Sequence, residues 1–186
     1  MQLELLEALE EDWKPVSKPT LIGWAVFYGL FLLYAFHAHG GFLFIDHVNL
    51  VMHEGGHLVF GFFGPTLALW GGTLLELIVP LALATYFTFQ RQTTATAFAS
   101  FFFFENFLYI ATYMADARSQ GLPLVTVGDA EFGGHDWFRI FSSLGLLQYD
   151  RTIGGIVRVL GWLGMLATVG WLIYRARTAP PTSHHR

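Results

Sequence analysis

The chain has 186 residues, of which 54% are hydrophobic, 17% aromatic and 13% charged, with a formal net charge of −4. Average soluble domains carry roughly a quarter charged residues, so this surface is too poor in charge to face water all round, and with no Lys/Arg-rich run it offers nucleic acid no footprint. Zero cysteines exclude disulfides, thiolate ligands and cysteine nucleophiles, so any metal must be held by His, Asp, Glu or water.

The expected fold is an all-α integral membrane protein, a single domain over residues 1–186 with four to five transmembrane helices. The N-terminal segment, residues 1–18, begins MQLELLEALEEDWKP; it is acidic rather than basic and reads as an amphipathic helix, not a signal peptide. Residues 20–36 carry no charge and are nearly long enough to cross a bilayer core of about 30 Å. HAHGGFLFIDH follows, with His37, His39 and His47 as secondary metal contacts, proton carriers or interface histidines. Residues 48–63 are apolar apart from NLVMHEGGH and form either a full span or a re-entrant helix. GPTLALWGG, residues 64–72, is bounded by helix breakers and reads as a turn or short extended element. Residues 74–89 form the next helix, with Pro80 as a kink candidate, and residues 95–114 the one after.

Residues 115–150 are more polar. Within them DWFRIFSSLGLL places Trp137, Ile140, Phe141 and Leu144 on one face, as an interfacial helix would. The last span, residues 153–174, is glycine-rich and carries Arg158 just inside its start, snorkelling or paired with a carboxylate such as Asp150; residues 175–186 form a basic tail. Orientation turns on the second segment. If it spans, the cations divide five against four; if it only dips in, they divide six against three and favour a cytoplasmic N-terminus.

His53 and His57 are i and i+4, so on a helix they share a face and can bind one ion, with Glu54 beside them to take a proton from water. Each ionisable group in the hydrocarbon region costs about 2.5–3.5 kcal/mol on insertion scales, so three within five residues call for a compensating cation. Gly55 and Gly56 each cost about 1 kcal/mol in a helix interior, which points to a substrate strand or neighbouring helix pressed against that face. The third ligand is drawn from His135, then Asp136, then Asp116. Glu105, Tyr109, Thr112 and Asp116 form a polar stripe along one aromatic helix. Glu76, Glu105, Asn106 and Tyr109 are read as a surrounding layer that orients the histidines.

HEGGH followed by FFGPTLALWGG resembles the membrane-embedded site-2 protease family of zinc metalloproteases, over about residues 42–90. The resemblance implies metal ligation by His53 and His57 and general-base work by Glu54; that family's Asn/Pro…Asp-Gly element has no counterpart here. A wider likeness, over most of the chain, is to small bacterial membrane proteins of unassigned function. It rests on HExGH, on DAR…LPL at residues 116–124, and on HDW…LGLL…D at residues 135–150.

The leading expectation is therefore an intramembrane zinc metallohydrolase, most plausibly a peptidase, in a bacterial inner membrane, with one Zn²⁺ per chain and a transmembrane peptide as substrate. A second reading is a non-catalytic subunit of a larger membrane complex. A third is a redox protein: Glu54 and His57 also spell Glu-x-x-His, with Glu76 and Glu105 completing a di-iron centre, or membrane histidines hold haem. Membrane lipids are the other expected partners, and nucleic acid is not one.

Overall fold

A computed structural model describes residues 12–123 and 134–178. Residues 1–11, which carry the expected amphipathic helix, lie outside them, as do residues 124–133 of the polar loop and residues 179–186 of the tail. The described residues contain helices and no strand: α1 (Lys18–His37), α2 (Asp46–Gly61), α3 (Pro65–Phe89), α4 (Thr93–Ala115), α5 (Asp136–Ser143), a 3₁₀ turn (Leu147–Tyr149) and α6 (Asp150–Thr178). Four helical segments, Lys18–His37, Pro65–Phe89, Thr93–Ala115 and Leu147–Thr178, are long and apolar enough to cross a membrane.

Residues 64–72 are not extended: Gly64, at φ 106°, turns the chain, and Pro65 opens α3, where its missing N–H costs nothing. Gly71 and Gly72 lie inside the helix because α2 crosses there. A Cβ on Gly56 would sit 2.1 Å from the Gly71 carbonyl oxygen, and one on Gly71 would sit 2.5 Å from that of Gly56. The glycines admit a neighbouring helix, the close-packing use of small residues in membranes. The same helix runs on through Pro80.

The topology follows from contacts at the two ends. Lys14 N donates to Arg91 O at 2.9 Å. Trp13 packs against Trp171, with ring centroids 5.0 Å apart, beneath the Arg175 guanidinium. The start of α1, the α3–α4 turn and the end of α6 therefore share one end of the bundle. At the other end, Arg118 grips Asp150 at the start of α6 through two hydrogen bonds, of 2.9 and 2.7 Å. So Asp150 pairs with Arg118 rather than Arg158, whose Nη2 donates to Thr112 Oγ1 at 3.0 Å.

The helix α2, of 16 residues, is not among the four segments long and apolar enough to cross a membrane. Near its start Asn49 Nδ2 donates to Glu105 Oε2, midway along α4, at 3.0 Å. At its finish it turns into α3 at the Arg118 end.

The short helix α5 buries Trp137, Ile140 and Phe141 against Ile110 and Met114 of α4 and against Trp70 of α3, whose ring meets Trp137 edge-on at 5.7 Å. Leu144, expected on that face, is exposed. The helix is thus clamped onto protein, and this clamp positions the residue at its first turn, Asp136.

Candidate metal centre

Three side chains from two distant segments converge. His53 Nε2 and His57 Nε2 lie 2.9 and 3.1 Å from the same oxygen, Asp136 Oδ2. Among the described residues this is the one group of three potential ligands with all donor atoms within 4.8 Å of one another. The helix α2 supplies the pair at i and i+4, and α5 supplies the carboxylate.

Each histidine is fixed from behind. His53 Nδ1 donates to Glu76 Oε1 on α3 at 2.9 Å, and His57 Nδ1 donates to the Ala68 carbonyl at 2.8 Å. A neutral imidazole has one N–H, so both Nε2 atoms then present lone pairs toward an anionic oxygen. Such an arrangement needs positive charge between the partners, either a proton on each ring or one shared cation. Two imidazoles and a carboxylate, each oriented by an outer partner, are a set suited to zinc. The N···O spans are a few tenths of an ångström under the roughly 3.4 Å subtended by two bonds of about 2.1 Å at a tetrahedral angle, a gap that side-chain rotation closes.

The close crossing of α2 and α3 builds this geometry. A Cβ on Gly72 would lie 2.6 Å from His53 Nε2, so glycine there lets the imidazole lie flat against α3 within reach of Glu76. Tyr113 completes the frame from α4. Its hydroxyl accepts from Asp136 N at 3.0 Å and lies 3.5 Å from Asp136 Oδ2, and its ring stands 5.5 Å from that of His53. Burial alone would raise the Asp136 carboxyl, but with protons on the facing His53 and His57 their hydrogen bonds and positive charge outweigh it and hold it at about 2.

The other expected residues fall in different places. His135, first choice as third ligand, is outside the group: it is buried, Nδ1 accepts from Phe138 N at 3.3 Å as the N-cap of α5, and Nε2 faces Asp116 Oδ2 at 3.5 Å. Burial holds this imidazole below its usual range. Asp116 shapes a loop, accepting from Ser119 Oγ, Gly121 N and Leu122 N at 2.7, 2.9 and 3.0 Å. Burial would raise its carboxyl, but these three bonds win and lower it. DAR is therefore a corner motif, with Asp116 on the loop and Arg118 on Asp150.

Glu76 touches His53 as just described, whereas Glu105 does not reach the histidines. It joins Asn49 in a buried cluster with Asp46, whose Oδ2 accepts from Leu43 N at 2.6 Å. Asn106 Nδ2 donates to the Phe102 carbonyl within α4, away from the centre. His37, His39 and His47 bond to carbonyls of their own turns, those of Leu33, His37 and Phe44.

Glu54 and Tyr109 line a cavity of ≈ 310 Å³ beside His53, and neither hydrogen bonds to a described residue. Tyr113, Ala68 and Gly72 were not singled out from the sequence. Tyr113 lies one turn beyond Tyr109 and beside the polar stripe, the only sequence signal that bears on it. No protein-family model, curated protein or solved structure matches this chain, so the reading of the site rests on its own geometry.

Proposed function

We propose that this chain is an integral membrane zinc metallohydrolase that cleaves peptide bonds in apolar segments. The observation that carries the reading is the convergence of His53 Nε2, His57 Nε2 and Asp136 Oδ2, with both Nδ1 atoms already committed. Zinc held there would polarise a substrate carbonyl and lower the pKa of a coordinated water to about 7. Glu54, on the cavity wall next to His53, takes the proton of the attacking water and passes it to the departing amine as the C–N bond breaks. His53 and His57 stay neutral ligands, with their tautomers set by Glu76 and Ala68.

For a bacterial inner membrane, the location we propose, the arrangement of cations supports a cytoplasmic N-terminus. Lys14, Lys18, Arg91, Arg175 and Arg177 flank one end of the bundle, and Arg118, Arg139 and Arg151 flank the other. Under the positive-inside rule the richer end is cytoplasmic, so the metal centre opens toward the opposite face.

The same two-histidine, one-carboxylate set also suits mononuclear iron, and that donor set favours iron as the second reading. The test is metal analysis of the purified full chain together with incubation on apolar peptides read by mass spectrometry. The hydrolase reading expects zinc near one per chain, lost in His53→Ala, and cleavage abolished in Glu54→Gln. Iron in place of zinc moves the reading to redox chemistry. Zinc without cleavage of any apolar peptide contradicts the peptidase and leaves a structural metal in a larger membrane complex.

A further inference from the structure

The cavity beside the centre has a definite chemical character. Its walls are residues 40–42, α2 from Asp46 to Glu54, and the α4 face bearing Tyr109, Thr112 and Tyr113, with Leu122 and Pro123 at the rim. The Asn49–Glu105 hydrogen bond ties α2 to α4, and both helices contribute walls to the cavity. A volume of ≈ 310 Å³ is at the small end of the range for ligand pockets, about 300–1,000 Å³.

Three hydroxyls stand on the α4 wall, and two are in use. Tyr113 is committed to Asp136. Thr112 Oγ1 donates its one proton to the Leu108 carbonyl at 2.9 Å, with the Gly40 carbonyl 3.2 Å away, and accepts from Arg158. The Tyr109 hydroxyl has no hydrogen-bond partner among the described residues.

Apart from His53, the charged side chains on the walls are acidic. Asp46 and Glu54 line the cavity, Asp136 and Glu76 stand behind His53, and no lysine or arginine is among the described lining residues. At the proposed centre the two charges of a zinc ion would already be matched by Asp136 and Glu76, so a carboxylate or phosphate entering the cavity would meet Asp46 and Glu54 with no lysine or arginine on the described walls to offset them. An uncharged apolar group meets Phe42, Leu50, Leu122 and Pro123.

Resting on the metallohydrolase reading, we propose that this cavity selects a neutral, apolar acyl group and rejects acidic ones. In this assignment the Tyr109 hydroxyl donates a hydrogen bond to the carbonyl oxygen of the bound group. Tyr109 and Glu54 then address the two partners in the reaction from opposite helices: the tyrosine steadies negative charge that develops on the carbonyl oxygen, and the glutamate serves the water.

The test measures binding of two small zinc-seeking probes, octanoyl hydroxamate and the acidic succinyl monohydroxamate, to the purified full chain, with zinc per chain determined in every sample. Wild type is expected to bind the octanoyl probe at least tenfold more tightly. Tyr109→Phe should weaken the octanoyl probe about threefold to tenfold, the loss of one hydrogen bond, with zinc unchanged. Glu54→Gln should narrow the gap between the probes by relieving repulsion. Equal affinity for both probes, or no effect of Tyr109→Phe, in zinc-loaded protein overturns this assignment while leaving the metal centre standing. Absence of zinc from wild type overturns the metal centre and this assignment with it.

Discussion

Gly72 backs directly onto the His53 imidazole: a Cβ at this position would lie 2.6 Å from both Cε1 and Nε2 of the ring. A residue without a side chain on one helix therefore sets the orientation of a proposed ligand on the next. Gly72→Ala should push the imidazole away from Glu76 and cost at least tenfold in zinc affinity, by analogy with loss of an outer partner. Gly56→Ala, whose Cβ would meet the Gly71 carbonyl oxygen at 2.1 Å, should instead separate the helices and lower stability by about 1–3 kcal/mol, the range for overpacking. Competition with a chelator and thermal melting in detergent report the two effects; unchanged zinc affinity in Gly72→Ala would argue against this packing.

Glu76 is the sole described carboxylate on His53 Nδ1. Replacing it with Gln keeps the shape but removes the charge that holds the imidazole tautomer and raises its basicity. Zinc affinity in Glu76→Gln is expected to fall about 10–100-fold while helix content is unchanged. Equal affinities in wild type and variant would assign Glu76 a purely structural place in the core.

The base role proposed for Glu54 can be tested apart from metal binding. Glu54 touches none of the three converging atoms and lies on the cavity wall. Glu54→Gln should retain zinc and lose about 10²–10⁴-fold in hydrolysis, the typical worth of a general base. Loss of zinc in this variant would place Glu54 among the ligands instead.

The Asp116 corner gives a pH dependence with a definite sign. Its carboxyl is held below the ordinary value by the Ser119, Leu122 and Gly121 bonds, which outweigh burial. The folded state therefore binds fewer protons than the unfolded one. The stabilisation is fully present above the unfolded value of about 3.9 and is lost as pH falls through the lower, folded value. Wild type should lose thermal stability over that acid range, and Asp116→Asn should show a flatter profile. Parallel profiles for the two proteins would mean that these hydrogen bonds contribute nothing to stability.

The long apolar helices were legible because uninterrupted apolar runs leave few alternatives, and α1, α3, α4 and α6 appear within a few residues of the expected runs, apart from the first turns of α3. The histidine pair was legible because i, i+4 spacing on a helix fixes geometry locally. The extension of α3 back to Pro65 was not, since Gly71 and Gly72 serve as breakers in isolation and as a packing surface once Gly56 lies against them. The choice between His135 and Asp136 was not legible either. These neighbours diverge because Trp137, wedged against Trp70, sets the rotation of α5; Asp136 then faces α2 and His135 faces Asp116. Such rotations depend on contacts 60 or so residues apart in sequence, which no local pattern encodes.

The most direct measurement is zinc per chain, and its affinity, in full-length protein carrying Asp136→Ala, His135→Gln or neither. Near one zinc is expected in wild type, with its loss in Asp136→Ala and its retention within a few-fold of wild-type affinity in His135→Gln. Zinc retained without Asp136, or lost with His135 alone, would contradict the centre formed by His53, His57 and Asp136.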